Sequence, residues 1–199
     1  SYLKEEGIDT DTGLEGGFAP NNLSDEQALV ILKKALPPET KIALDFGGSY
    51  YRGPGGIETF IQEFNVFALE DPFGETEGQK WRALFKEFGQ TRLIIGDDLV
   101  ATNIGILKRI LKRKMINAVI VKPNQIGTVT KTLDFVEKAR QNGLKIIVSH
   151  RSGETNDAFI ADLAISIEAD FVKFGGLNRG ERIAKYNRLS ELFIDMRKI

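Results

Sequence analysis

The chain contains no cysteine. Disulfides, thiolate zinc sites, iron–sulfur clusters and cysteine nucleophiles are therefore excluded. A single histidine cannot build a multi-histidine metal centre, so an expected metal is hard and oxygen-bound. Neither charge sign is in excess: 27 Lys and Arg stand against 28 Asp and Glu, for a net charge of −1. Nucleic-acid binders and membrane-surface proteins usually carry positive excess, so neither a nucleic-acid nor a membrane partner is expected. No apolar run approaches the roughly 18–20 residues that cross a bilayer. The polar, acidic stretch from Ser1 to Thr12 lacks the basic and apolar regions of a signal peptide. The expectation is a cytoplasmic protein. The chain opens on Ser1 rather than Met, which suggests a processed chain or an excerpt of a longer one.

What is present is an ordinary globular composition, 42% hydrophobic and 28% charged. The 199 residues suffice for one domain with a sizeable core. Short apolar runs rich in Val, Ile, Leu and Phe occur at Lys41–Asp45, Val66–Glu70, Leu93–Asp97, Ala118–Lys122, Lys145–His150 and Asp170–Lys173. They do not alternate strictly, as is typical of strands buried on both faces. Helical patterns lie between them at Ala28–Leu36, Gln79–Phe88, Ile104–Lys114, Thr128–Asn142, Asp157–Ile167 and Arg182–Arg197. Ser24 with Gln27 reads as a capping box, and Gly143 as a helix-ending glycine. Strand and helix alternate with a period of about 25 residues, the step length of a (β/α) barrel. An open doubly wound sheet gives a similar alternation. Neither a G-x-G-x-x-G after the first strand nor a phosphate-binding G-x-x-x-x-G-K-[ST] is present.

Each predicted strand ends on an ionisable residue: Asp45, Glu70, Asp97, Lys122, His150 and Lys173. Taken singly, each is a solvated strand boundary. Taken together in a barrel, they surround the mouth where active sites lie. Three converging carboxylates repel one another unless protonated or bound to a cation, and carboxylate oxygens favour Mg²⁺. A lysine beside a divalent cation and a second lysine is a candidate general base. A base facing Mg²⁺ suits removal of a proton next to a carboxylate, because the metal stabilises the charge that develops. Ser149–Glu154 (SHRSGE) follows a strand and leads towards a helix. It reads either as an anion-holding loop or as a turn with a helix cap.

The stretches GLEGGFAPN (13–21), IALDFGGS (42–49), LEDPF (69–73), GDDLVATN (96–103), VKPNQIGT (121–128), VSHRSGET (148–155) and VKFGGLNRGERIAKYNRL (172–189) resemble the enolases. The resemblance runs over nearly the whole chain, in the family's order. It implies an α/β fold, an enolase-type TIM (β/α) barrel that is incomplete at about six strand–helix units. Residues 1–199 would be part of the enolase C-terminal catalytic barrel domain, without the N-terminal domain and first barrel strands. The implied enzyme is phosphopyruvate hydratase, a glycolytic carbon–oxygen lyase. It interconverts 2-phospho-D-glycerate and phosphoenolpyruvate with Mg²⁺ as cofactor. By motif match, Asp45, Glu70 and Asp97 would be the metal ligands, Asp97 being preferred to Asp98 as the first acid of its motif. Lys122 would abstract the C2 proton, and Glu15 would act as the acid at C3. Arg151 and Ser152 would hold the phosphate, His150 would line the pocket, and Lys173 would contact the substrate carboxylate.

The sequence departs from the family at several places. Leu14 stands where an acid is usual. Phe46-Gly47-Gly48 replaces small Val and Ala residues. Pro123 replaces Val, and Phe174 replaces Thr. Expected partners are the small-molecule substrate and either a second copy in a homodimer or a complementing N-terminal segment. The alternative functions are a catalytically incomplete enolase-like fragment or binding module, and another Mg²⁺-dependent enzyme abstracting an α-proton from a carboxylate.

Overall fold

A computed structural model describes residues 2–50 and 53–197. Among the described residues there are six strands: β1 (Ile42–Asp45), β2 (Val66–Glu70), β3 (Leu93–Gly96), β4 (Ala118–Val121), β5 (Lys145–Ser149) and β6 (Phe171–Lys173). Each lies within a residue of its predicted run. The helices are α1 (Tyr2–Glu5), α2 (Asp25–Ala35), α3 (Gly53–Phe64), α4 (Gly78–Phe88), α5 (Ile104–Arg113), α6 (Pro123–Ile126), α7 (Val129–Arg140), α8 (Phe159–Ser166) and α9 (Gly180–Met196). The α/β expectation is met. The expected span of 1–199 takes in Ser1, Tyr51, Arg52, Lys198 and Ile199, which lie outside the described residues.

The chain forms two compact units, Leu32–Ile146 and a second made of residues up to Ile31 with those from Ile147 onward. In the Leu32–Ile146 unit, β1 pairs with β2, β2 with β3 and β3 with β4, all parallel. Its core is apolar: Val66, Ala68 and Leu69 of β2, Ile94 and Ile95 of β3, and all four residues of β4 are buried. Trp81 and Leu84 of α4, Leu107 and Ile110 of α5, and Phe135 and Val136 of α7 are buried with them. Their spacing of three or four, or of one within a turn, is that of an amphipathic helix. The β1 strand, by contrast, has no fully buried residue.

In the other unit, β5 and β6 pair in parallel. Val148, Ala161, Ala164 and Phe174 form the core there, with Tyr186 and Leu189 packed against it. Phe174, a departure from the family pattern, is 1% exposed and meets the Tyr186 ring edge-on at 5.9 Å. An aromatic side chain there fills core volume instead of lining solvent.

Local signals acted as read. Gln27 N donates to Ser24 Oγ and Ser24 N to Gln27 Oε1, closing the capping box. Gly143 adopts a φ of 73° just beyond α7. Asn103, not singled out in the sequence, accepts from the Gly105 and Ile106 amides and starts α5. Three helices were not foreseen. The opening Gly53-Pro54-Gly55-Gly56 of α3 reads as a turn, but a helix tolerates Pro in its first turn, where the missing N–H would have no partner. The α1 and α6 helices are four residues each, too short to show a period. Pro123 occupies the first turn of α6, where it is accommodated without strain.

Candidate functional site

In the Leu32–Ile146 unit, β1 and β2 bring Asp45 and Glu70 to their last positions, directly opposite in register. Glu70 is buried and Asp45 exposed. The turn after Asp45 is built on glycine: Gly47 and Gly48 have φ of 55° and 71°. Val or Ala would be strained there. The Gly47 amide donates to Asp45 Oδ1 at 3.0 Å, which fixes that carboxylate.

Asp97 follows β3 and is 8% exposed. Its Oδ2 pairs with Lys122 Nζ. Its Oδ1 is buried and has no hydrogen-bond partner among the described residues. A buried carboxylate oxygen of this kind suits a bound cation. The donors available in Asp45, Glu70 and Asp97 are all carboxylate oxygens, the right kind for Mg²⁺. Among the described residues, no three His, Asp or Glu side chains are gathered into a ready-made ion site. The fit to the metal thus lies in donor chemistry and in the orphaned oxygen.

Two supporting residues escaped the sequence reading. Asp71 accepts from the Asp97 amide at 2.9 Å through Oδ1 and from the Asp98 amide at 2.6 Å through Oδ2. It straps the segment after β3 to the end of β2. Burial pushes its carboxyl up to about 6; the two amide donors oppose this, and the charges of Asp97 and Asp98 add to it. Thr102 is fully buried. Its hydroxyl accepts from the Lys122 amide at 3.0 Å and donates to Gln125 Oε1 at 2.8 Å. Ala101 and Thr102 have φ of 48° and 49°. That conformation is rare for a β-branched residue and marks stored strain.

The second unit gathers Glu15, His150, Arg151, Ser152 and Lys173. A hairpin turn, with Gly13 N bonded to Gly17 O, carries Leu14 and Glu15 at its tip. Leu14 is 69% exposed. The Glu15 carbonyl accepts from Gly176 N at 2.7 Å. A Cβ on Gly176 would lie 2.1 Å from Gly16 O, so only glycine permits this approach. Ser152 Oγ donates to Glu15 Oε1 at 2.7 Å. His150 Nε2 lies 3.3 Å from Glu15 Oε2 without a hydrogen bond between them. His150 N donates to the carbonyl of Lys173, the last residue of β6. Arg151 N donates to Glu154 Oε2 at 3.2 Å, so the loop also serves as the turn that was its alternative reading.

Burial acts to raise the Glu15 carboxyl, but the Ser152 hydroxyl and the electrostatic attraction of His150, Lys173 and Arg182 outweigh it and hold it below its usual range. Burial lowers His150 below the ordinary imidazole range; Glu15 opposes this, and Arg182 and Lys173 reinforce it. The pair therefore stands as a carboxylate beside a neutral imidazole near neutrality.

Helix α9 supplies three residues that were not singled out. Arg182 and Lys185 are fully buried, and Tyr186 is half-buried. Lys185 Nζ donates to Thr155 O at 2.5 Å and Asp157 O at 2.7 Å, with Glu154 Oε1 at 3.5 Å. Tyr186 Oη donates to Gly175 O at 2.6 Å. Their spacing of three and four places them on one helix face, which was the available signal.

Residues 55–195 match the family model "Enolase, C-terminal TIM barrel domain". The Enolase of Neorickettsia sennetsu is 39% identical over 214 aligned positions, covering 96% of this chain and 52% of that protein. Enolase 2 of Lactobacillus johnsonii is 37% identical over 218, covering 96% and 51%. The chain spans about half the length of these curated relatives. Both alignments are longer than the chain, so the relatives carry residues inside the matched span that are missing here. Six parallel strands alternating with helices give the fold class of an incomplete enolase-type TIM barrel. With its family model matched over most of its length and relatives identical at more than a third of the aligned positions, the chain belongs to the enolase family, within the C-terminal TIM barrel domain.

Proposed function

We propose that residues 1–199 are part of one catalytic barrel domain of an enolase-type lyase. The reaction is the reversible dehydration of 2-phospho-D-glycerate to phosphoenolpyruvate, in cytoplasmic glycolysis. The observation that carries this reading is Lys122, held at the end of β4 on an Asp97 carboxylate whose other oxygen is buried without a hydrogen-bond partner among the described residues.

Asp45, Glu70 and Asp97 would hold Mg²⁺. When bound, Mg²⁺ supplies positive charge opposite the negative charge that develops on the substrate carboxylate. Lys122 takes the C2 proton on Nζ in its amine form. The C3–O bond then breaks, and the electron pair of the C2–H bond becomes the new C2–C3 double bond. Glu15 delivers a proton to the departing hydroxyl, which leaves as water. Glu15 must first take up that proton, because its carboxyl is held below its usual range in this geometry. Arg151 and Ser152 bind the phosphate, His150 lines the pocket, and Lys173 binds the substrate carboxylate.

A second reading is favoured by one observation: the chain spans about half of its relatives. On that reading it is a catalytically incomplete part that needs a complementing segment or a second copy. The separating experiment is a 2-phosphoglycerate assay on the 199-residue chain with and without Mg²⁺, with intact mass checked. Mg²⁺-dependent turnover, lost in Lys122→Ala, supports the first reading. Mg²⁺ binding that Asp97→Asn weakens, without turnover, supports the second. Neither turnover nor Mg²⁺ binding overturns both.

A further inference from the structure

Arg182 sits in the first turn of α9 with no exposed surface. Nη1 donates to Arg151 O at 2.6 Å and lies 2.8 Å from His150 Nδ1. Nη2 donates to Leu14 O at 3.0 Å and Ser152 O at 2.8 Å. The fork thus touches both chain segments that present Glu15, His150 and Ser152. All four acceptors are neutral, and Glu181 Oε1 lies 3.9 Å from Nε.

A guanidinium has donors only and does not lose its proton in a folded protein. At 2.8 Å the His150 Nδ1 must therefore accept, which requires a lone pair there. A neutral imidazole with a bare Nδ1 carries its proton on Nε2. Nε2 is the nitrogen that faces the Glu15 carboxylate. We propose that Arg182 is a positioning residue that fixes His150 in its Nε2–H tautomer, so that the imidazole presents a hydrogen-bond donor, and not a base, on the Glu15 side.

The geometry also explains why His150 resists a second proton. That proton would sit on Nδ1 and point into Arg182 Nη1, setting two donors and two positive charges head to head. Around the ring stand Glu15, Glu154, Lys173 and Arg182, and burial adds to the last two. The inference concerns residues used in the proposed reaction, but it is read without substrate, so it stands or fails separately from that reaction.

His150 is the only histidine of the chain, so isotope-labelled histidine gives one imidazole to observe. Long-range proton–nitrogen correlation spectra at about pH 8 report the tautomer of a neutral ring directly. The expected result is a pyrrole-type shift at Nε2, a pyridine-type shift at Nδ1, and a through-hydrogen-bond coupling from Arg182 to Nδ1. Reversed or averaged shifts overturn the proposal. In Arg182→Leu the tautomers should average, while Arg182→Lys, which keeps a donor, should retain the Nε2–H form. An unchanged spectrum in a folded Arg182→Leu protein also overturns it. If neither variant folds, the wild-type shifts and coupling decide alone.

Discussion

Lys122 Nζ and Asp97 Oδ2 form an ion pair at the ends of adjacent strands, with only 13% and 11% of their side chains exposed. Breaking one partner of a pair this dry leaves an uncompensated charge. Lys122→Met should destabilise the chain by about 3 kcal/mol, as read by urea unfolding. Adding Asp97→Asn should restore part of the loss. Additive losses in the double variant would show that the two side chains do not interact. C2 proton exchange should vanish in Lys122→Met whatever its stability.

Thr102 holds the Lys122 amide and Gln125 through one hydroxyl. Thr102→Val keeps the shape but leaves both groups without that partner in a buried place. A cost of about 2 kcal/mol is expected. Thermal unfolding checks it, and a variant as stable as the parent would show that the hydroxyl is not needed.

Ser152 lowers the Glu15 carboxyl by donating to it. Ser152→Ala should move the Glu15 titration upward. Carboxyl carbon shifts followed through an acid titration measure this. A downward or unchanged midpoint would mean that the electrostatic attraction of His150, Lys173 and Arg182 sets it alone.

His150 makes the stability pH-dependent. Its pKa is lowered in the fold from 6.5. Above 6.5 the ring is neutral in both states, and the fold has its full stability. As pH falls below 6.5 the unfolded chain binds the proton first, so stability declines until the folded value is passed. His150→Asn should flatten this part of the stability curve on the acid side. Equal slopes for the two proteins would remove His150 from the account.

Local chemistry made much of the fold legible. The Val-, Ile- and Leu-rich runs located all six strands because burial on both faces demands continuous apolar side chains. Ser24–Gln27 and Gly143 worked because caps depend on neighbours three or four residues apart. The α3 helix was hidden by its Gly-Pro-Gly-Gly start, a local signal that the longer apolar stretch Ile57–Phe64 overrode through burial of Ile57, Phe60 and Ile61. Asp71, Thr102 and Arg182 were missed for another reason. Each acts through hydrogen bonds to backbone or side chains 20 or more residues away.

The sequence by itself determined the strand–helix alternation and the ionisable residue at or just past the end of each strand, because side-chain period and capping are short-range properties of the chain. Only the tertiary structure decided that Ser152 would reach Glu15 across 137 residues, and that a buried guanidinium would tie His150 to both segments. Such contacts follow from which surfaces pack together. Gly16 and Gly176 let two backbones approach more closely than any side chain would allow. That closeness is a property of the packed fold, and no spacing along the chain encodes it.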